Sequence, residues 1–256
     1  YDHRKVNGDS HQRRDVVSTE VYNTYRRYLR SNRVREDERE ETINAFFARR
    51  RMHFYFVTMY NFVSRAGAEV LNLRFKDLEV VQSSIQERSM YIRMTTKHGK
   101  KVRRPGYGKN DSLIYHSDYN YPGHLSKWIA LLKNGDEKWL NHDKWKGFGT
   151  GPEDYIFRSW SKSQPMNAQA TTRYMKMLRP KVCAWSKERN KNHSDRLEEE
   201  IDAFTPYSVR HIAIRNLIGE SNQTFSTVAE RANTSVSMIE DFYYKYGLKP
   251  EGRLVS

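Results

Sequence analysis

Residues 205–247, TPYSVRHIAIRNLIGESNQTFSTVAERANTSVSMIEDFYYKYG, carry the strongest structural signals in this chain. Thr205 suits the N-cap of a helix and Pro206 its first position, where the missing N–H costs no hydrogen bond. Helical spacing then places four residues on one face: Tyr207, Arg210, Ile214 and Leu217. An arginine within an apolar stripe needs an anionic partner, because an unpaired buried charge is costly. No acidic residue within this predicted helix supplies one.

A second helical pattern starts near Ser235, where Ser237 and Glu240 are spaced as a capping box. It leads into a cluster of tyrosines that begins at Tyr243. An arginine that requires an anion and a group of phenolic hydroxyls together predict a phosphate site with a tyrosine nucleophile. The alternative interpretation of these residues is a salt-bridged arginine and tyrosines that only pack.

The composition indicates a folded protein with a polyanionic partner. The 256 residues carry 45 Lys and Arg against 31 Asp and Glu, a net charge of +14, and 13% of them are aromatic. Such an excess of positive charge favours nucleic acid as the partner. No run of about 18 apolar residues is present, so we expect no membrane span. The single Cys183 excludes an internal disulfide and a cysteine-rich zinc site, and it fits a reducing intracellular compartment.

The first half of the chain combines helical periodicity with a run of strands. We predict one helix from Ser18 to about Ser31 and a longer one from about Ile43 to Val63. Arg65 follows the second helix, and Gly67 permits a sharp turn before a short helix over 69–73. The sequence pattern then changes and predicts three strands: Leu78–Gln82, Tyr91–Thr95 and Lys100–Arg104.

The segment 91–110 is strongly basic, with seven Lys or Arg and no Asp or Glu. An ordinary solvated hairpin mixes charges of both signs, so this segment is typical of a face that meets phosphates. A basic patch without a ligand is the alternative. The residues that we expect to contact DNA there are Lys100, Lys101, Arg103 and Arg104.

The rest of the chain gives weaker signals, and no internal repeat is found. We predict helices over 122–133 and 168–182, a loop over 139–152, a short strand over 155–158, an exposed charge-dense insertion over 187–200, and a solvated loop or helix start over 33–41. Five histidines lack metal-ligand spacing and are predicted to lie at the surface or to pack, which leaves no predicted metal site. They are His53, His116, His124, His142 and His193.

Four motifs in this order resemble the catalytic domain of the tyrosine recombinases, the phage-integrase family, from about residue 17 to 247. FVSRAGAEVLNLRFKDL places Arg65 at the first catalytic arginine of that family, with Glu69 at its acidic position, and TTKHGKKVRRP places Lys97 at its hairpin lysine. TPYSVRHIAIR places Arg210 at the second arginine, and NTSVSMIEDFY places Tyr243 at the nucleophile, 33 residues later. The resemblance implies an α+β, mostly helical domain with a small antiparallel sheet.

The chemistry that the resemblance implies is metal-free phosphoryl transfer. Two arginines hold the non-bridging oxygens of a phosphodiester, and Lys97 protonates the departing 5′ oxygen. Tyr243 forms a 3′-phosphotyrosyl link, which conserves the bond energy, so neither ATP nor a metal nor another cofactor is expected. Tyr244 and Tyr246 are alternative nucleophiles. Lys100 and Lys101 are the alternatives to Lys97.

The chain departs from the family at three points. Tyr207 stands where the family often has His, and Thr234 where it often has His or Trp. Both hydroxyls donate hydrogen bonds, but neither is a good proton acceptor near neutral pH. His211 is a candidate replacement base, with a packed core histidine as the other interpretation. The spacing from Arg65 to Glu69 is one residue longer than the commonest family form, which suggests a variant branch.

These observations predict a site-specific recombinase or integrase of a phage or other mobile element, acting on double-stranded DNA as a homo-oligomer, by resemblance a tetramer. The alternatives are a type IB topoisomerase-like enzyme and a catalytically weak DNA-binding relative. We expect a basic leader over 1–17, a catalytic domain over 18–247 and a tail over 248–256. Because the sequence begins at Tyr1, we also expect an upstream domain. The expected location is the cytoplasm, on DNA.

Overall fold

A computed structural model of the chain describes residues 17–31, 41–83, 89–97, 112–135, 149–159, 164–190, 193–219 and 223–240. Its elements, in chain order, are α1 (Thr19–Arg30), α2 (Ile43–Phe62), α3 (Ala68–Leu71), a 3₁₀ turn (Phe75–Asp77), β1 (Leu78–Gln82), β2 (Met90–Thr96), β3 (Leu113–His116), α4 (Tyr121–Asn134), α5 (Ala168–Arg189), α6 (Asp195–Ala203), α7 (Pro206–Gly219), α8 (Phe225–Arg231) and α9 (Val236–Ile239). The expected mostly helical fold with a small antiparallel sheet is confirmed.

Helix α2 forms the centre of the packed core. Helices α1, α4 and α7 pack around it, and its apolar residues face all of them. Phe54 stacks on Trp128 of α4, with 5.2 Å between ring centroids, and on Phe157, with 5.6 Å. A helix that is apolar on most sides must be buried on most sides, which explains why α2 lacks a single hydrophobic stripe. The packing of α2 therefore fixes the position of its C-terminal end, which Arg65 follows.

A buried ion pair joins the start of α2 to the end of α1. The guanidinium of Arg49, 1% exposed, donates to both carboxylate oxygens of Glu41 at 2.8 and 2.7 Å. Its Nη1 also donates to the carbonyls of Leu29 and Ser31, at the end of α1. The carbonyls at a helix end have no partner within the helix. Arg49 therefore satisfies the last turn of α1 while its own charge is neutralised.

The sheet has the order β1-β2-β3 and is antiparallel throughout. Leu78 pairs with Met94, and Met94 pairs in turn with Tyr115 on β3. Alternation along β2 buries Ile92 and Met94 against the helices. The first two predicted strands are confirmed, whereas the third, Lys100–Arg104, lies outside the described residues. Strand β3 was not predicted.

Two predictions in the second half of the chain are wrong. Helix α5 continues to Arg189 instead of ending at Val182, although Pro180 lies inside it. The segment 187–200 is not an exposed insertion, because α6 begins at Asp195 and buries Leu197 and Ile201. Those two residues are four apart and so share one helix face, a signal that the surrounding charges obscure.

The remaining predictions have mixed outcomes. The helix over 122–133 is confirmed as α4, and the helix over 69–73 forms over Ala68–Leu71. Tyr155 and Arg158 form isolated β-bridges and not a strand. Residues 1–16, 32–40, 136–148 and 241–256 lie outside the described residues, and with them the tail, most of the leader, and most of the segments predicted over 33–41 and 139–152. Glu41, at the end of the first of these segments, is buried and paired with Arg49 instead of solvated. Among the described helices, none combines the length and the hydrophobicity that a membrane span requires.

Two glycines provide a matched test of the turn after α2. Gly67 has φ +97°, whereas Gly123 lies in α4, and a Cβ added to either meets no atom within 4 Å. Gly67→Ala therefore costs backbone strain alone, and we expect the free energy of unfolding to fall by about 1–3 kcal/mol. Gly123→Ala should raise it by up to about 1 kcal/mol. Urea denaturation of both variants measures the difference, and a change of the same sign in both would contradict the assigned turn.

His53 should make the stability of the fold decrease as the pH falls. Burial, with the charges of Arg26 and Arg50, lowers the pKa of His53 to about 3. The unfolded chain protonates this histidine below a pH of about 6.5, but the folded chain does not, so acid favours the unfolded state. Between pH 7 and pH 5 this histidine should cost about 2 kcal/mol of stability. Denaturant titrations of wild type and His53→Gln should show a smaller pH slope in the variant, and exposed His116→Gln serves as control. An unchanged slope in His53→Gln would contradict the prediction.

Candidate active site

Two left-handed residues organise the candidate site. Val63 ends α2 with φ 52°, and Asn233 follows α8 with φ 48°. Asparagine tolerates this conformation, but a β-branched valine in it is a true outlier. The carbonyl of Val63 accepts a hydrogen bond from Arg210 at 2.5 Å, and that of Asn233 accepts one from Arg65 at 3.1 Å. Both unusual backbone positions therefore present a carbonyl to an arginine that the sequence singled out.

The two arginines lie next to each other. Arg210, on α7, is 3% exposed, and its Nη2 donates to the carbonyl of Ala232 at 2.7 Å. Ala232 and Asn233 are consecutive, so the guanidinium groups of Arg210 and Arg65 bind neighbouring peptide carbonyls. The structure thus brings together residues that are 145 positions apart in the sequence (65 and 210).

Glu69 fixes the position of Arg65. Its carboxylate is 3% exposed and accepts hydrogen bonds from Arg65 Nη1 at 3.0 Å, from the Arg65 backbone N–H at 3.0 Å and from the Tyr115 hydroxyl at 2.7 Å. The bond from Tyr115 joins the sheet to the turn after α2. Arg65 is therefore salt-bridged, while its side chain stays 19% exposed.

The electrostatics keep both partners of Glu69 protonated. Burial lowers the pKa of Arg65, but the ion pair and hydrogen bond with Glu69 outweigh it, and the net pKa is raised. Burial and the charge of Glu69 raise the pKa of Tyr115 well above its usual value, although Arg210 and Arg65 act in the opposite direction. Arg65 is therefore a permanent cation and Tyr115 a permanent donor at physiological pH.

Tyr207 and His211 form an aromatic pair beside the arginines. Their rings meet edge to face, with centroids 4.7 Å apart, as expected for residues four apart on a helix. Tyr207 is 38% exposed and interacts electrostatically with Arg65. Tyr207 is therefore the more exposed ring of the pair, whereas His211 is partly buried.

Thr234 lies in the turn that supplies the two carbonyls. Its backbone N–H donates to the Ala229 carbonyl at 2.9 Å, and its side chain is partly buried. The neighbouring Asn233 side chain donates to the carbonyl of Ile114, on β3, at 2.9 Å. Beneath this turn lies a small apolar cluster, formed by Val63, Ala213, Ile214, Val228, Ala229, Ala232 and Ile239. It supports both left-handed residues.

Lys97 is exposed and lies one residue beyond the end of β2. Two residues earlier, Thr95 pairs with Ile114, whose carbonyl binds Asn233. The end of β2, which Lys97 follows, is therefore paired with the β3 residue that contacts Asn233. The basic residues Lys100, Lys101, Arg103 and Arg104 lie outside the described residues, as do Tyr243, Tyr244 and Tyr246.

Three features of the site were missed or misread in the sequence. Tyr115 had a usable signal, since Leu113, Tyr115 and Ser117 alternate as in a half-buried strand. Asn233 had one too, because asparagine after a helix commonly adopts the left-handed conformation. The predicted capping box in α9 is wrong: Ser235 is the N-cap, and its hydroxyl accepts the Met238 N–H.

The bond network around Glu69 predicts a large, specific loss of stability. Glu69→Gln leaves the half-buried Arg65 without its counter-charge, and we expect the free energy of unfolding to fall by about 2–4 kcal/mol. Glu79→Gln breaks an exposed pair with Arg93 and should cost less than about 1 kcal/mol. In a double-mutant cycle with Tyr115→Phe, the stability lost in the double variant should be smaller than the sum of the two single losses by at least about 0.5 kcal/mol. Strictly additive losses would contradict the shared network.

No protein-family model matches the chain, and no curated protein matches it in sequence. Among solved structures, the chain is similar to the XerH site-specific recombinase bound to palindromic difH substrate in a post-cleavage complex, with TM-score 0.49, 13% identity, and 90% of this chain and 49% of that chain covered. It is also similar to the pre-cleavage complex of XerH with difH substrate, with TM-score 0.46, 13% identity, and coverage of 87% and 48%. The chain thus spans about half the length of these recombinase chains.

Proposed function

We propose that this chain is the catalytic domain of a tyrosine-type site-specific recombinase, which cleaves and rejoins DNA through a 3′-phosphotyrosyl intermediate. The observation that carries the proposal is the placement of Arg65 and Arg210 side by side on the consecutive carbonyls of Ala232 and Asn233. Integration or excision of a phage or other mobile element is the process in which we expect it to act.

Two fixed guanidinium groups suit one phosphodiester. Each is planar and bonds anionic oxygens with well-defined directions, and neither loses its charge at physiological pH. Glu69 and the backbone carbonyls hold these groups before any ligand arrives. Such preorganised donors stabilise the additional charge of a phosphoryl-transfer transition state without a reorganisation cost.

The remaining residues have roles in the transfer step. The Tyr243 oxygen attacks phosphorus, the bond to the 5′ oxygen breaks, and Lys97 donates the proton that the departing oxygen takes up. Tyr207 and Thr234 donate hydrogen bonds to the phosphate. His211 is our candidate acceptor of the Tyr243 proton. A 5′-hydroxyl of another strand then reverses the step, so the phosphotyrosyl bond conserves the energy and neither ATP nor a metal is required.

Charge supports double-stranded DNA as the substrate. The net charge of +14 and the basic segment 91–110 supply the cations that a phosphate backbone attracts. Strand exchange joins two sites, so we propose that the active form is a homo-oligomer on DNA, a tetramer. Its DNA contacts would include Lys100, Lys101, Arg103 and Arg104.

One observation favours a second candidate, a DNA-binding relative with weak catalysis. Tyr207 and Thr234 occupy positions where an imidazole would accept a proton, and their hydroxyls do so poorly near neutral pH. His211 is an imidazole four residues after Tyr207 on α7, and its ring meets that of Tyr207 edge to face. The two candidates differ in whether a covalent DNA adduct forms.

A nicked suicide duplex tests the proposal, because cleavage releases a short strand and traps the covalent adduct. Wild type should give a denaturant-resistant protein–DNA adduct, and Tyr243→Phe should give none. Tyr244→Phe and Tyr246→Phe each remove a phenolic hydroxyl close to Tyr243 in the sequence, and both variants should still form the adduct. If no site is known, random duplexes at low salt serve as substrate, since phosphate contacts strengthen there.

The other outcomes separate the alternatives. An adduct that persists in Tyr243→Phe and disappears in Tyr244→Phe or in Tyr246→Phe assigns the nucleophile to the tyrosine whose loss abolishes it. Tight DNA binding without an adduct in any variant contradicts the proposal and favours the binding-only relative. An adduct without strand exchange between two duplexes indicates a topoisomerase-like enzyme.

A further inference from the structure

Helices α5 and α6 bring three metal-ligating side chains together on a part of the fold that supplies none of the site arginines. Cys183 lies on α5, His193 just after it and Glu198 on α6. One ligand atom from each of them lies within 4.8 Å of those from the other two, and all three residues are partly buried. The chain reverses between the two helices, so residues 15 positions apart (183 and 198) meet at one point.

His193 is oriented for this cluster. Its Nδ1 lies 3.1 Å from the hydroxyl of Ser186, a fully buried residue one turn before the end of α5. Its Nε2 is buried and has no hydrogen-bond partner among the described residues, and it lies 3.7 Å from Glu198 Oε2. That separation exceeds a normal hydrogen bond. A histidine with one nitrogen held by a hydroxyl and the other facing a carboxylate has the arrangement of a metal ligand with its outer partner.

We propose that Cys183, His193 and Glu198 bind a divalent cation of the zinc class, with water in the fourth position. Thiolate, imidazole and carboxylate together suit Zn²⁺ or Co²⁺ and do not suit Mg²⁺ or Ca²⁺, which prefer oxygen ligands alone. Around a tetrahedral zinc, bonds of about 2.0–2.3 Å place neighbouring ligand atoms roughly 3.3–3.8 Å apart. The separations between ligand atoms, at most 4.8 Å, therefore need to shorten by no more than about 1.0–1.5 Å to close the site around the ion.

Lys187 is the competing cation. It lies on α5, one turn after Cys183, and its Nζ is 2.7 Å from Glu198 Oε2. Without a metal this ammonium group neutralises the carboxylate. A bound ion must displace it or use the other oxygen of Glu198. Removal of the Lys187 charge should therefore strengthen metal binding, whereas in a purely structural polar cluster it would only weaken the contact between the helices.

No pattern in the sequence indicates this site. Positions 183, 193 and 198 do not follow the short paired spacings of common zinc motifs, and His193 was assigned to the surface or to packing. Only the pairing of α5 with α6, itself missed in the sequence, creates the cluster. A cation bound here would join two helices that carry neither Arg65 nor Arg210, so its binding does not depend on the proposed DNA chemistry.

Cobalt provides a direct test, because Cys183 is the only cysteine of the chain. The full chain, treated with a chelator and dialysed, is titrated with Co²⁺ while the near-ultraviolet thiolate-to-cobalt band is recorded. Wild type should develop the band, and Zn²⁺ should abolish it and raise the Tm. Cys183→Ser should show no band, and His193→Gln and Glu198→Gln should bind at least roughly tenfold more weakly. Lys187→Met should bind several-fold more tightly, and His116→Gln should match wild type.

Two results would overturn the proposal. One is the absence of the band in both wild type and Lys187→Met, with circular dichroism showing that both are folded. The other is a band of unchanged affinity in His193→Gln and Glu198→Gln, which would mean that the thiol binds cobalt without its neighbours. Ser186→Ala adds a further readout: loss of the hydroxyl that orients His193 should weaken binding about 10–100-fold without removing a ligand.

Discussion

The carboxylate of Glu69 is buried where α2 ends, and three donors from two distant parts of the chain meet on it. Two of them belong to Arg65, which is thereby fixed in both backbone and side chain. The third is the hydroxyl of Tyr115, through which the sheet is held against the helices. A buried carboxylate is tolerated only when it is paired and hydrogen-bonded, so these contacts depend on one another. Loss of this charge would release Arg65, the turn and the sheet together.

The strained backbone at the site is held in place by the residues packed against it. Left-handed Val63 and Asn233 cost free energy, and such residues persist only where the surroundings determine them. Here the small apolar cluster packs under both turns, and Arg210 and Arg65 bond their carbonyls. The guanidinium groups thus hold their positions through backbone acceptors, which do not titrate. This arrangement explains how two cations remain adjacent in the folded chain.

Local rules were sufficient for much of the fold. Ser18 accepts the Val21 N–H and begins α1 as its sequence predicts, and Pro206 is the first residue of α7. The position of Arg65 just after α2 and that of Arg210 within α7 were also readable, since turn and helix signals surround them. The backbone carbonyls that accept hydrogen bonds from these arginines could not be predicted, because a backbone carbonyl has no signature in the sequence. Helix α6 was missed for a related reason: its two buried apolar residues are outnumbered by charges that pair only after folding.

The central claim is that Arg65 and Arg210 together neutralise one DNA phosphate, and a charge-neutral substrate tests it most directly. A methylphosphonate at the scissile position replaces one charged oxygen by a methyl group. We would compare cleavage of both linkages by wild type, Arg65→Ala and Arg210→Ala, with Arg196→Ala on the exposed side of α6 as control. On the natural diester, each site variant should lose about 10²–10³-fold in rate, and on the neutral linkage far less. Equal losses on both linkages would show that the arginines act elsewhere and would contradict the account.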